Sequence, residues 1–216
     1  MITDSPASHV KSPKVEKNIP NFVHNNKINF LMQIPNKNTL IGKRDLAILE
    51  LFYATGMRLS ELVALNIGSV NHNDNLVKVV GKGNKERMVP ISKIALLAIK
   101  KYLKELKKTN LELYKSEFLF PSRSKNGYLN RERFFLIIKK IAKFAGLNPR
   151  YVSPHKIRHA FASHLLSNGA DLRVIQTLLG HKNLSTTEIY THILDEKMIK
   201  SVQENHPFAK KDFKNL

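Results

Sequence analysis

Residues 153–191 read SPHKIRHAFASHLLSNGADLRVIQTLLGHKNLSTTEIYT. The stretch is punctuated as helix, turn, helix. Ser153 is a good N-cap and Pro154 a good first helical residue. At 3.6 residues per turn, His155, Arg158 and His159 share one face. Ile157, Phe161, His164 and Leu165 share another, which must face a core. Gly169 ends this helix, Asp171 caps a second over 172–179, and Gly180 ends that one, leaving His181 at the turn. Ser185 and Glu188 form an S-x-x-E capping box opening a short helix that carries Tyr190. His155 falls in a first helical turn, where free N–H groups and the helix dipole favour an anion. The expectation is that His155, Arg158, His181 and Tyr190 converge on one phosphodiester.

The bulk composition points the same way. A formal net charge of +19 over 216 residues suits a polyanionic partner, because neutralising backbone phosphates releases counterions. A hydrophobic fraction of 42% is ample for a core, and the length fits one domain with a tail. No cysteine is present, which excludes disulfides, thiolate zinc sites and Cys nucleophiles. The first residues, MITDSPASHVKSPK, carry no apolar h-region, and no apolar run reaches membrane-spanning length, so a cytoplasmic protein is expected.

Working outward, residues 1–26 are rich in Pro, Ser, Asn and Lys and read as a flexible arm. A short helix is expected over 27–34, stopped by Pro35. From about Lys43 the pattern is strongly helical, with Leu46, Leu49, Phe52 and Tyr53 on one face, until Gly56 breaks it. A second helix starts near Leu59. Arg58 sits at the break between apolar Met57 and Leu59, and Glu61, one turn on, is spaced to orient its guanidinium. Residues 76–80 and 86–91 read as strands joined by the turn G-K-G-N-K, with Lys82 between two glycines and Lys85 and Arg87 following. A helix over 92–108, a third strand over 118–120 and a helix over 131–145 capped by Asn130 complete the pattern. The last helix is expected to bury Phe134, Phe135, Ile138 and Ile141. Arg131, Arg133, Lys139 and Lys140 on it, with Lys85, Arg87, Lys156 and Lys182, form the candidate DNA-contacting set.

Competing readings are weighed on chemistry. His155 and His159 are four apart, as metal-binding pairs are, but K-I-R between them offers no acid and two repelling cations, so no metal site is expected. G-K-G-N-K is no P-loop, since it leads into a strand and lacks the G-x-x-x-x-G-K-[ST] pattern. The helix pair around Gly169 also suits a non-catalytic helix-turn-helix regulator. That reading gives no role to Arg58, Lys82 or Tyr190.

Four stretches, ATGMRLSEL, VGKGNKERMVPI, HKIRHAFASHL and LGHKNLSTTEIYTH, resemble in order and spacing the catalytic domain of tyrosine recombinases, the Xer branch in particular. The resemblance covers about residues 38–208. It implies a mixed, mainly α fold with a small three-stranded antiparallel sheet. It implies Arg58, Lys82, His155, Arg158, His181 and Tyr190 as the catalytic set, Glu61 as a supporting carboxylate, and no cofactor or metal. Tyr190 would attack a DNA phosphate, His155 take its proton, Arg58 and Arg158 clamp the non-bridging oxygens, His181 donate a further hydrogen bond, and Lys82 protonate the leaving 5′ oxygen. The partner would be double-stranded DNA, engaged by a homo- or hetero-tetramer on two sites. The segment EKMIKSVQENHPF resembles the family's C-terminal helix, which docks on a neighbouring protomer; a DNA translocase is a further candidate partner. The expected organisation is an arm over 1–26 and a catalytic domain over 27–216, with the family's N-terminal core-binding domain absent. The same chemistry would serve resolution of chromosome dimers, a phage or mobile-element integrase, or a type IB topoisomerase.

Overall fold

The computed structural model describes residues 25–81, 83–180, 200–202 and 204–207. Lys82, His181, Lys182, Tyr190 and the Ser185/Glu188 capping box lie outside the described residues. Helix α1 (Asn25–Gln33) opens the described chain, so helical structure starts just inside the expected arm, and Pro35 follows its end. Thr39 then caps α2 (Leu40–Thr55), its Oγ1 accepting from the Gly42 N–H at 3.1 Å. From Leu46 to Thr55 every residue of α2 is buried, which marks it as the central helix of the core. It packs on α4 (Lys93–Thr109), α7 (Pro154–Ser167) and α1, with Phe52 edge-on to Phe134 of α6 (Arg131–Phe144) at 5.6 Å.

The sheet is antiparallel in the order β1 (Val70–Asn71), β2 (Leu76–Val80), β3 (Glu86–Pro90). Its third strand is therefore Val70–Asn71 and not the expected 118–120. Asn71 Oδ1 accepts from the N–H groups of Asn73 and Asp74, and Asn75 takes φ 56°, so a tight turn folds β1 straight onto β2. The adjacent hairpin occupies that sheet edge. Residues 117–119 pair instead with the loop after α3 (Leu59–Val63), through Ile67 N–H to Glu117 O at 2.8 Å and Leu119 N–H to Leu65 O at 2.7 Å. A second correction falls on α6: Phe134, Ile137, Ile138 and Ile141 face the core, while Phe135 is 41% exposed and lies under the Lys139 ammonium.

The short α5 (Leu111–Tyr114) follows α4, and α8 (Leu172–Leu179) follows α7 as the sequence punctuation requires. Ser153 Oγ accepts from Lys156 N–H, Asp171 Oδ1 from Arg173 N–H, and Gly180 ends α8 at φ 67°. The described part of the C-terminal segment folds back on its own chain. Asn168 Nδ2 donates to Asn205 O at 2.6 Å, and buried His206 lies against the rings of Tyr53 and Phe161. No helix among the described residues is long and apolar enough to cross a membrane.

Candidate active site

The site begins with the break between α2 and α3. Gly56 takes φ 57°, and a Cβ there would come within 2.2 Å of the Phe161 ring. Only glycine lets α7 approach the break this closely. The apposition brings together two arginines about a hundred positions apart in the chain. Arg158, on α7, donates from Nη1 to Gly56 O at 2.6 Å and from Nη2 to Leu179 O at 2.7 Å. Arg58, the N-cap residue of α3, donates from Nη2 to the next carbonyl, Gly180 O, at 3.0 Å. The C-terminal end of α8 therefore holds both guanidiniums with its unsatisfied carbonyls.

Glu61 is the hub of the cluster. Its side chain is 5% exposed. Oε1 accepts from Arg58 Nη1 at 3.1 Å and from Arg87 Nη1 at 3.0 Å; Oε2 accepts from the Arg58 backbone N–H at 2.8 Å and from Arg87 Nη2 at 2.8 Å. Burial alone would raise this carboxyl, but the hydrogen bonds from Arg87 and Arg58 outweigh it and hold Glu61 below the ordinary carboxylate value. Arg158 is pushed down to about 10 by burial first, then by the neighbouring Arg58 guanidinium, with Arg87 adding to it and Glu61 opposing. It remains charged at neutral pH, so three guanidiniums share one carboxylate among these four groups. An anion entering beside Arg58, whose side chain is 45% exposed, would relieve that crowding.

His155 is exposed on the first turn of α7, with its Nε2 3.0 Å from the Nε2 of His159. One of these nitrogens donates and the other accepts. Among the described residues no group of three or more His, Cys, Asp or Glu side chains is placed to hold a metal ion. Buried Tyr53 is no rival nucleophile: burial, reinforced by Glu50, raises its phenol, and its hydroxyl is engaged with His164 Nδ1 at 2.8 Å.

The basic set divides. Lys85 is exposed on the hairpin turn and Arg131 on the first turn of α6. Arg133 and Lys140 are exposed beside Asp45, on a groove shared with Arg44, Leu136 and Phe144. Half-buried Lys156 lies over the Tyr151 ring at 5.0 Å. Two of the expected DNA contacts have their cationic heads engaged within the fold. Lys139 donates to the Pro149 and Val152 carbonyls, which fastens the turn leading into Ser153. Arg87, 15% exposed, is committed to Glu61 and to Leu178 O, the latter from Nε at 3.1 Å. The sequence carried a signal for this. A two-residue period puts Arg87 in phase with Val89, and it lies opposite fully buried Val79, so it had to point inward and be paired.

A model of the phage integrase family matches residues 21–197. The chain belongs to that family, the tyrosine-type site-specific DNA recombinases, and stands within it among recombinases of the Xer type. Tyrosine recombinase XerD of Yersinia pestis is 42% identical over 206 residues, which cover 95% of this chain and 69% of the relative. Among solved structures, the integrase of mycobacterium phage Brujita superposes with a TM-score of 0.70 at 26% identity, over 98% of this chain and 67% of that one. XerH recombinase bound to its difH substrate in a pre-cleavage complex gives a TM-score of 0.65 at 27% identity, over 82% of this chain and 52% of that one.

Proposed function

We propose that this chain breaks and rejoins double-stranded DNA at a specific site through a 3′-phosphotyrosyl intermediate, in the resolution of chromosome dimers. The observation that carries the chemistry is the pair of arginines on consecutive carbonyls, Arg158 on Leu179 O and Arg58 on Gly180 O. Preorganised guanidiniums stabilise the charge that grows on non-bridging phosphoryl oxygens in the transition state, without reorganisation at the moment of reaction. Tyr190 Oη attacks phosphorus. The P–O bond to the 5′ oxygen breaks, His155 takes the phenolic proton, and Lys82 supplies a proton to the departing alkoxide. A phenol with an ordinary pKa near 10 needs such a base, and an alkoxide needs such an acid. His181 donates a further hydrogen bond to the phosphoryl group. Attack by the 5′-hydroxyl of a partner strand reverses the step and exchanges strands, and the covalent link conserves the bond energy.

Lys85, Arg131, Arg133, Lys140, Lys156 and Lys182 supply phosphate contacts that position the duplex. The working assembly is a homo- or hetero-tetramer on two DNA sites, joined through the C-terminal helix and open to activation by a DNA translocase. The docking of residues 205 and 206 on α2 and α7 supports a cradle that a neighbour's segment can also use.

Tyr190→Phe tests the nucleophile. Incubated with a nicked suicide substrate and run on a denaturing gel, it is expected to bind DNA and leave no covalent adduct. A normal adduct yield from that variant removes Tyr190 from the mechanism.

A further inference from the structure

We propose that Arg87 is a positioning residue for DNA cleavage: its two-pronged clasp on Glu61 fixes the β2–β3 hairpin, and the backbone on either side of Lys82, against the paired arginines. The inference deepens the reading above and rests on Lys82 acting as the acid.

Arg87 spends its guanidinium on partners inside the fold. Nη1 and Nη2 each donate to a different oxygen of Glu61, at 3.0 and 2.8 Å, and Nε donates to Leu178 O at 3.1 Å. Every nitrogen of the guanidinium is engaged, and the side chains of Arg87 and Glu61 are 15% and 5% exposed. Only a planar fork makes this set of contacts; a lysine ammonium is a single point. One guanidinium therefore ties three elements together: β3, which carries it; α3, which carries Glu61; and the end of α8, which offers Leu178 O.

What abuts the clasp gives it a role in the reaction. A Cβ on Gly81 would lie 3.6 Å from both Arg87 Nη1 and Glu61 Oε1. A Cβ on Gly180 would lie 3.4 Å from the Arg87 guanidinium carbon. Gly81 immediately precedes Lys82, and Gly180 immediately precedes His181. The backbone leading into two of the six reacting groups thus abuts one buried side chain. Glu61 also holds Arg58 through both its backbone N–H and its Nη1, so Arg87 and Arg58 share a single carboxylate. Loss of Arg87 frees the hairpin from the cradle and leaves Arg58 as the sole guanidinium on Glu61.

The test uses the full chain with Arg87→Gln, Arg87→Lys and Lys82→Ala beside the unaltered protein. Single-turnover cleavage is measured on a suicide duplex with the ordinary 5′ oxygen at the scissile phosphate and on one with sulfur there. A thiolate leaves without a proton, so the sulfur substrate bypasses the acid. Arg87→Gln is expected to cleave the oxygen substrate about 10²-fold more slowly, the scale of a lost general acid, and the sulfur substrate within a few-fold of the unaltered protein. Arg87→Lys, which keeps the charge and loses the fork, is expected to show the same pattern more mildly. It makes the same comparison if the glutamine variant does not fold. DNA affinity and the slope of log Kd against log salt are expected to stay unchanged. Equal slowing on both substrates, or a slope smaller by about one phosphate contact, overturns the positioning role. Full restoration by Arg87→Lys overturns it too, because charge alone would then suffice. Sulfur rescue of Lys82→Ala but not of the Arg87 variants removes Arg87 alone. Rescue of neither removes the acid role of Lys82, and this inference with it.

Discussion

Helix α7 has two polar neighbourhoods that obey opposite rules. One is charged: Arg158 joins Arg58, Arg87 and Glu61, with more guanidinium than carboxylate. The other rests on hydrogen bonds and ring packing: His164 takes the Tyr53 hydroxyl, and buried His206 packs over the rings of Tyr53 and Phe161 with its Nε2 3.3 Å from Tyr53 O. The second cluster closes the fold around residues 205 and 206. The charged cluster is short of negative charge, a deficit that the phosphate of the proposed reaction would fill. A binding site is recognised less by the presence of buried polar groups than by an imbalance among them.

The comparison breaks most sharply at Glu61. Glu61→Ala leaves Arg87 buried and unpaired and is expected to cost about 3–5 kcal/mol in urea unfolding, the range for removing one partner of a buried ion pair. A loss below about 1 kcal/mol would mean that the hub is a solvated pair. Next in size is Arg158→Lys. One ammonium cannot span Gly56 O and Leu179 O as the guanidinium does, so adduct formation should fall about 10²–10³-fold in single-turnover assays while DNA affinity holds.

Acid separates the two clusters. Burial, with His164 adding to it and the Tyr53 carbonyl opposing, lowers His206 to about 4. An unfolded histidine titrates near 6.5, so the unfolded state binds the extra proton first. The stabilisation from neutral His206 is complete above about 6.5, declines as pH falls, and is gone below about 4, a change on the order of 3 kcal/mol. Glu61, held below the ordinary carboxylate value, keeps its contribution until pH falls past that value. Hydrogen exchange should therefore show Val202 and His206 losing protection between pH 6.5 and 4 while the amides of Glu61 and Arg87 hold. Simultaneous loss would join the clusters into one unit. The smallest effect is Tyr53→Phe, which removes the hydroxyl from His164 and should lower stability by about 1 kcal/mol with cleavage unchanged.

Much of this was legible in the chain. The caps at Ser153, Asn130 and Asp171 and the breaks at Gly56 and Gly180 lie where local chemistry demands, because capping is decided within four residues. The third strand was not legible: two residues at 70–71 are too short to show a period, and 118–120 has strand composition but pairs with a loop. Phe135 was misplaced because it sits one position from Phe134, about 100° around the helix. The partners of Arg87 and Lys139 were hidden for a different reason. A basic residue reads as surface until its partners are known, and Glu61, Leu178, Pro149 and Val152 are partners that only the fold supplies.

The seating of Phe161 on Gly56 has a consequence for ionic strength. Contact between a ring and a bare α-carbon fixes how closely α7 approaches the α2–α3 break, and that contact is not screened by salt. Attraction of the duplex to a chain with a net charge of +19 is screened steeply. Raising salt should therefore empty the site long before it deforms it: the apparent Kd climbs, while the rate constant of the bound complex stays nearly level.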